Sequence, residues 1–158
     1  MIKTLTLFKD MGPEPAVAKA MGGQNHLTLV KFEEILSKSS LAIKVLLMDQ
    51  KRIGGIGNIY ANDALFLAKI DPRKSAKLLT KKEIVILFEA ILEVLKNGLK
   101  YGGASDVDFV NALGQDGRYQ DYFLAYGKKG QKCTVCNGVI EKISLGGRGT
   151  YYCPKHQK

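Results

Sequence analysis

Acidic residues are scarce in this sequence: 15 Asp and Glu stand against 24 Lys and Arg, a formal net charge of +9 over 158 residues. Cysteine is scarcer, with three in all. Three cannot all pair, so a disulfide scaffold is disfavoured and a reducing cytoplasm is the expected compartment. No apolar run approaches the ~18 residues that a membrane-spanning helix requires. The stretch Met1 to Asp10 is too short and too polar for a secretory signal. Internal repeats and low-complexity tracts are also missing, and so is a Gly-Lys-Ser/Thr run of the nucleotide-binding kind. What the chain does have is a core: 46% of residues are hydrophobic and 25% charged. That composition argues against intrinsic disorder and suits one domain, or one domain with a small appendage.

The positive charge is uneven. Residues 128–158 hold seven basic side chains against the single acid Glu141. A second run, Lys69 to Lys82, holds six against Asp71. Clustered cations without matching acids suit a polyanion, usually nucleic acid, whose counterions they displace. An anionic membrane surface and a merely solubilising basic face are the rival readings.

Along the chain, residues 1–10 have weak strand character and Gly12-Pro13-Glu14-Pro15 reads as a linker. Leu29, Phe32, Ile35 and Leu36 have the spacing of a short amphipathic helix. Ser40 is placed to cap a helix over Leu41 to Met48, apolar nearly all round and so expected at the centre of a bundle. The run Ile53-Gly54-Gly55-Ile56-Gly57 breaks it. A further helix is expected from Asn58, with Ile59, Ala61, Leu65, Phe66 and Ala68 inward, ended by Asp71-Pro72. Thr80 and Glu83 fit a capping box ahead of Ile84, Leu87, Phe88, Ile91, Leu92, Val94 and Leu95. Asn97-Gly98 or Gly102-Gly103 is the expected stop. A short helix is expected over Asp106 to Leu113, then a flexible loop at Gly114 to Gly117. Beyond Tyr126-Gly127, Gly, Lys, Tyr and Cys replace Leu and Ile, which marks a boundary.

Two ligand pairs lie past that boundary, Cys133/Cys136 and Cys153/His156, separated by 16 residues. Three thiolates and one imidazole make a closed tetrahedral zinc site, structural because no position is left for water. Val139 to Ile143, a turn at Gly146-Gly147, and Thr150 to Tyr152 read as the hairpin between the pairs. So small a unit lacks a core, and metal binding should supply most of its folding energy. A thioredoxin-like role for Cys133 and Cys136 has no βαβ context to support it.

The glycine run Gly54-Gly55-Ile56-Gly57 lies between helices and not after a strand, so a dinucleotide fold is not indicated. Its glycines permit close approach of another backbone, and the helix start behind it offers unpaired amides to a phosphate. Asn58 can either cap that helix or contact an anion.

Several ordered motifs resemble the bacterial formamidopyrimidine-DNA glycosylase family and its relative endonuclease VIII. They are Met11-Gly12-Pro13-Glu14-Pro15, Ile43 to Gln50, Gly55-Ile56-Gly57-Asn58-Ile59-Tyr60-Ala61, Tyr126-Gly127-Lys128-Lys129-Gly130 and the zinc pairs. The resemblance implies a mainly α fold, a helix-two-turn-helix domain followed by a small β-hairpin zinc ribbon. The implied divisions are 1–26 as N-terminal remnant and linker, 27–126 as the DNA-binding domain, and 127–158 as the zinc ribbon. It implies that Asn58 and Arg148 hold phosphate at the damaged nucleotide, and that Arg148 donates the proton in δ-elimination. Arg suits that grip, since its planar fork meets two phosphate oxygens. Lys44, Gly57 and Tyr126 are further DNA-contact candidates. Ser40 falls where relatives can carry a DNA-contacting lysine, which weakens that contact here. Gly114 to Gln120 resembles the loop that covers an extruded oxidised guanine.

Two departures stand out. The fourth zinc ligand is usually Cys in the family and is His156 here, a change that zinc accepts. The family also begins Met-Pro-Glu, and the proline amine attacks the sugar. This chain begins Met1-Ile2-Lys3, so the N-terminal catalytic domain is expected to be missing. The implied partner is double-stranded DNA with an oxidised base or abasic site, bound by a monomer in a bacterial-type cytoplasm. A free-standing non-catalytic DNA-binding module is the alternative, and an RNA-binding zinc ribbon of translation is a third.

Overall fold

The computed structural model describes residues 27–101 and 119–158. The expectations for 1–26, for a helix at 106–113 and for the loop at 114–118 lie outside the described residues. Within them, four α-helices precede a two-stranded antiparallel hairpin.

Helix α1 spans Leu29–Ser37, and the Thr28 hydroxyl accepts the Lys31 N–H at 3.3 Å. Leu29, Phe32 and Leu36 fall three and four apart and are all buried. Helix α2, Ile43–Leu47, is shorter than the 41–48 expected, and Ser40 does not cap it. Backbone replaces the hydroxyl: Ile43 N–H donates to the Lys74 carbonyl at 2.7 Å and Lys44 N–H to the Pro72 carbonyl at 3.2 Å. The unpaired amides of a helix start need acceptors, and the turn at residues 71–74 supplies them as well as a cap does. Ile43, Leu46 and Leu47 are fully buried, as the all-round apolar pattern requires.

Helix α3, Asn58–Ala68, starts at the expected residue but ends before Asp71-Pro72. Lys69 stops it in the left-handed region, φ 62°, where Ile70 N–H reaches back to the Leu65 carbonyl at 3.0 Å. Helix α4, Lys81–Lys100, opens with the anticipated capping box: Glu83 N–H to Thr80 Oγ1 at 3.2 Å, and Thr80 N–H to Glu83 Oε2 at 2.8 Å. It runs through Asn97-Gly98. Gly98 acts as a packing site and not a stop, because a Cβ there would collide with the Tyr60 ring of α3.

Helix α3 is central. Every residue from Ala61 to Phe66 is buried, with α4 and the hairpin packed along it. The main core joins α1 to α4, with the Phe32 and Phe88 rings 5.6 Å apart. A smaller cluster of Phe66, Ala125, Cys133, Ile140 and Cys153 joins α3 to the hairpin unit.

Strand β1, Glu141–Leu145, pairs with β2, Arg148–Tyr152, and Leu145 faces Arg148 at the turn. Gly146 and Gly147 both have positive φ, 60° and 75°, the backbone that a two-residue hairpin loop needs. A Cβ on Gly146 would lie 2.9 Å from Val45, so the turn rests on α2. The chain end is stitched back onto the end of α3: Gln157 Nε2 donates to the Ile70 carbonyl at 2.9 Å and Lys158 N–H to the Lys69 carbonyl at 3.0 Å.

Candidate functional site

Cys133 and Cys136 lie on the turn before the hairpin and Cys153 directly after β2, so closing the hairpin brings the pairs together. The three sulfurs lie within 4.8 Å of one another, and those of Cys136 and Cys153 are 3.5 Å apart. Ligands at about 2.3 Å from a tetrahedral ion would sit just under ~4 Å apart. Gly138 makes room for this. A Cβ there would lie 2.6 Å from the Cys153 sulfur and 3.2 Å from that of Cys136, while its N–H donates to Cys136 Sγ at 3.2 Å. Burial pushes the Cys133 thiol up, but the amides of Val135 and Cys136 and the neighbouring thiols outweigh it, and the thiol ends below its ordinary value. Burial leads at Cys153 too, and that thiol is raised. Soft sulfur donors gathered around a common centre fit zinc.

His156 is not within that three-sulfur group. Its Nε2 lies 2.9 Å from the Phe66 carbonyl, and its ring packs 4.6 Å from the Phe66 ring. With Nε2 donating to that carbonyl, Nδ1 keeps its lone pair, which is how metal-bound histidines are commonly oriented.

The second arrangement lies at the turn end of the hairpin. Arg148 is exposed there and opens β2. It borders a shallow cavity of about 310 Å³ with Val45, Leu145 and Gly146. One residue on, the Gly149 carbonyl receives three donors: Lys44 Nζ at 3.2 Å, Asn58 Nδ2 at 3.2 Å and Asn62 Nδ2 at 3.3 Å. Asn58 therefore does not cap α3. Gly57 holds the cap position without a side-chain bond, exposed, and a Cβ there would meet nothing within 4 Å. The bare start of α3, the Asn58 amide and the Arg148 strand thus share one face.

Lys44 is not where direct DNA contact needs it. It is fully buried beneath the hairpin and donates to Thr150 Oγ1 at 2.7 Å. Burial, and secondarily the Arg148 charge, push its ammonium down to about 8. Excluded from water by β2, it supports the hairpin instead. Ser40 is exposed, and its carbonyl accepts the Ser75 hydroxyl at 3.1 Å. The half-buried Tyr126 ring meets Tyr151 edge-on at 5.0 Å, and its N–H donates to Asp63 Oδ1 at 3.2 Å. It therefore sits at the joint between helices and hairpin.

Sequence reasoning missed Asn62, Asp63, Thr150 and Gln157, which are all buried. The available signal was two polar residues, Asn62 and Asp63, inside an otherwise apolar stretch of α3. The basic run 69–82 is also less free than its count suggests. Arg73 pairs with Asp71 at 2.7 Å and Lys74 with Glu83 at 2.8 Å, while Lys69, Lys77, Lys81 and Lys82 are exposed. Among the described residues no helix is long and apolar enough to cross a membrane.

Fold and site together define a helical domain joined to a small hairpin with a candidate metal site. Residues 11–109 match the family model described as the formamidopyrimidine-DNA glycosylase H2TH domain. Residues 130–155 match the zinc finger found in FPG and IleRS. The chain belongs to the formamidopyrimidine-DNA glycosylase family. It is 42% identical over 151 residues to the formamidopyrimidine-DNA glycosylase of Listeria innocua, covering 96% of this chain and 53% of that protein. It is 41% identical over 150 residues to that of Streptococcus mutans, covering 95% and 52%. Among solved structures it is similar to Lactococcus lactis Fpg in complex with abasic-site DNA, with a TM-score of 0.78 and 38% identity over 99% of this chain and 54% of that one. It is likewise similar to MutM of Thermus thermophilus, with a TM-score of 0.80 and 34% identity over 98% and 55%. The chain spans about half the length of the curated relatives it matches.

Proposed function

We propose that this chain is the DNA-binding half of a formamidopyrimidine-DNA glycosylase of base excision repair, and that it holds the backbone of duplex DNA at an abasic site or oxidised base. In the full-length activity the base leaves the stack, the glycosidic bond is cut through an imine on an enzyme amine, and the strand is nicked by β,δ-elimination. The task of this chain is the grip. Asn58 offers an amide N–H and Arg148 a guanidinium to the phosphates flanking the lesion, and Arg148 stands as proton donor in δ-elimination. The start of α3, which no cap side chain covers, adds to the positive field. Lys44 and Tyr126 act from behind, bracing β2.

Zinc bound by Cys133, Cys136 and Cys153, with His156 Nδ1 as fourth donor, would lock the hairpin in shape. The finer architecture is then a zinc ribbon over 127–158 on a helix-two-turn-helix domain over 27–126. The observation that carries this reading is the Gly149 carbonyl, which ties Asn58 of α3 to the strand that Arg148 opens.

The test is binding of the zinc-loaded chain to a duplex with one abasic site, with borohydride trapping in parallel. The expected result is a gel shift without a covalent adduct. Arg148→Ala is expected to weaken binding roughly 10–100-fold with zinc retained, since charge-assisted hydrogen bonds contribute about 1.5–3 kcal/mol. A covalent adduct would show that an amine of this chain reaches the sugar. Equal affinity for undamaged duplex, or for structured RNA, would refute the lesion-directed grip.

A further inference from the structure

Asn62 lies one turn into α3, 1% exposed, where α3, β2 and the Asn58 side chain meet. Its Oδ1 accepts the Tyr151 N–H at 2.7 Å. Its Nδ2 lies 3.3 Å from the Gly149 carbonyl, 2.8 Å from the Asn58 carbonyl and 3.3 Å from Asn58 Oδ1. A single side-chain amide therefore meets β2 as a neighbouring strand would, taking an N–H from one residue and giving one to a carbonyl two residues away. Of the two Asn62 Nδ2 hydrogens, one goes to the Asn58 main-chain carbonyl at 2.8 Å and the other is shared between the Gly149 carbonyl and Asn58 Oδ1, both at 3.3 Å.

This has a directional effect. An asparagine amide presents a donor or an acceptor depending on which way it is turned, and a phosphate oxygen accepts only from the donor side. Asn58 Oδ1 is turned toward Asn62, and Asn58 Nδ2 gives one hydrogen to Gly149 at 3.2 Å. The second Nδ2 hydrogen remains for an outside acceptor. Turned over, Asn58 would face an anion with its carbonyl oxygen. Asn62 also fixes β2 at Gly149 and Tyr151, on the same short strand as Arg148.

We infer that Asn62 is a positioning residue of the phosphate grip, holding the Asn58 amide donor-outward and β2 in register so that Asn58 and Arg148 act on one stretch of backbone. The inference rests on the phosphate-grip reading above. Asn62 touches no DNA in this scheme and acts through its two neighbours.

The test is a double-mutant cycle on the zinc-loaded 158-residue chain, read by fluorescence anisotropy with a duplex carrying a tetrahydrofuran abasic analogue. Asn62→Ala is expected to weaken binding on the order of tenfold and to make the salt dependence shallower by about one phosphate contact. In the Asn58→Ala background the same substitution is expected to cost distinctly less than in the native chain, because the Asn58 contact is already gone and only its hold on β2, and so on Arg148, is left to lose. Losses that simply add would overturn the inference and make Asn62 a general support. If Asn58→Ala and Arg148→Ala weaken binding and Asn62→Ala does not, the inference alone falls. If all three bind as the native chain does, the grip reading falls and takes the inference with it.

A measurement on the unmutated chain keeps the question decidable should Asn62→Ala fail to fold. Of the two Asn58 side-chain amide protons, the one bound to the Gly149 carbonyl is expected to exchange with solvent markedly more slowly than the other before DNA is added. A freely rotating, solvent-exchanging Asn58 amide would overturn the inference.

Discussion

Replacing Lys44 with Met separates two effects that its burial combines. The ammonium is fully buried, donating to Thr150 Oγ1 at 2.7 Å and to the Gly149 carbonyl at 3.2 Å. Burial, followed by the Arg148 charge, lowers it from 10.5 to about 8. Below pH 8 the lysine is charged in both folded and unfolded chains, and the folded state bears the full cost of the buried cation. Between pH 8 and 10.5 the unfolded chain holds one more proton than the folded one, so stability rises with pH. A shift of this size corresponds to a gain on the order of 3 kcal/mol across that window. Other groups titrate there too, and subtracting the Lys44→Met curve removes their common contribution. Urea unfolding of both zinc-loaded proteins from pH 7 to 11 is the assay. The wild type minus variant difference is expected to climb toward the wild type by a few kcal/mol. At neutral pH the variant is expected to be nearly as stable as the wild type, because Gly149 keeps its bonds from Asn58 and Asn62. A flat difference across the window would refute the reasoning and mean that water or an anion stabilises the ammonium in place.

Other parts of the structure can be tested as directly. Cys133→Ser is expected to release zinc, measured by metal content after dialysis, and to weaken abasic-site binding; unchanged affinity in a zinc-free variant would show that the hairpin does not contribute to the grip. Phe88→Ala removes a ring that is 1% exposed and packed 5.6 Å from Phe32, so urea unfolding should show a loss of about 3–5 kcal/mol. A loss under about 1 kcal/mol would mean that α1 and α4 do not depend on this contact.

The helices were legible wherever local chemistry decides them. Thr80 and Glu83 announce the start of α4, and Leu29, Phe32 and Leu36 announce the buried face of α1, because capping and periodicity act within one or two turns. The cysteine spacing announced the sulfur cluster for the same reason. Apart from the early end of α3 at Lys69, the failures involve partners distant in sequence. Ser40 lost its capping role to Pro72 and Lys74 carbonyls some 30 residues away. Gly98 reads as a helix stop until Tyr60 is seen lying against it. Lys44 reads as a DNA-contact candidate until β2, more than 100 residues on, covers it. Asn62 and Asp63 carried only a weak signal, since two polar residues inside an apolar helix do not say which backbone they face.

Those backbones belong to the same unit. Asp63 accepts the N–H groups of Leu124, Ala125 and Tyr126 at 3.2, 3.0 and 3.2 Å, which pins the segment entering the hairpin unit. Lys44, Asn58 and Asn62 pin β2, and Gln157 pins the chain end to Ile70. A hairpin whose apolar cluster against α3 is so small gains little orientation from burial alone, since burial is non-directional. Hydrogen bonds to specific backbone atoms are directional, and within a buried joint a lost one leaves an unsatisfied partner at about 1–3 kcal/mol. The polar residues on α2 and α3 thus do what a larger apolar interface could not: they fix the rotation of the hairpin on the helices, and with it where Arg148 points. A guanidinium on a freely swivelling hairpin would still attract DNA by charge. Held in this way, it could meet one phosphate in one geometry, which is what the proposed lesion-directed grip requires and a basic surface alone does not provide.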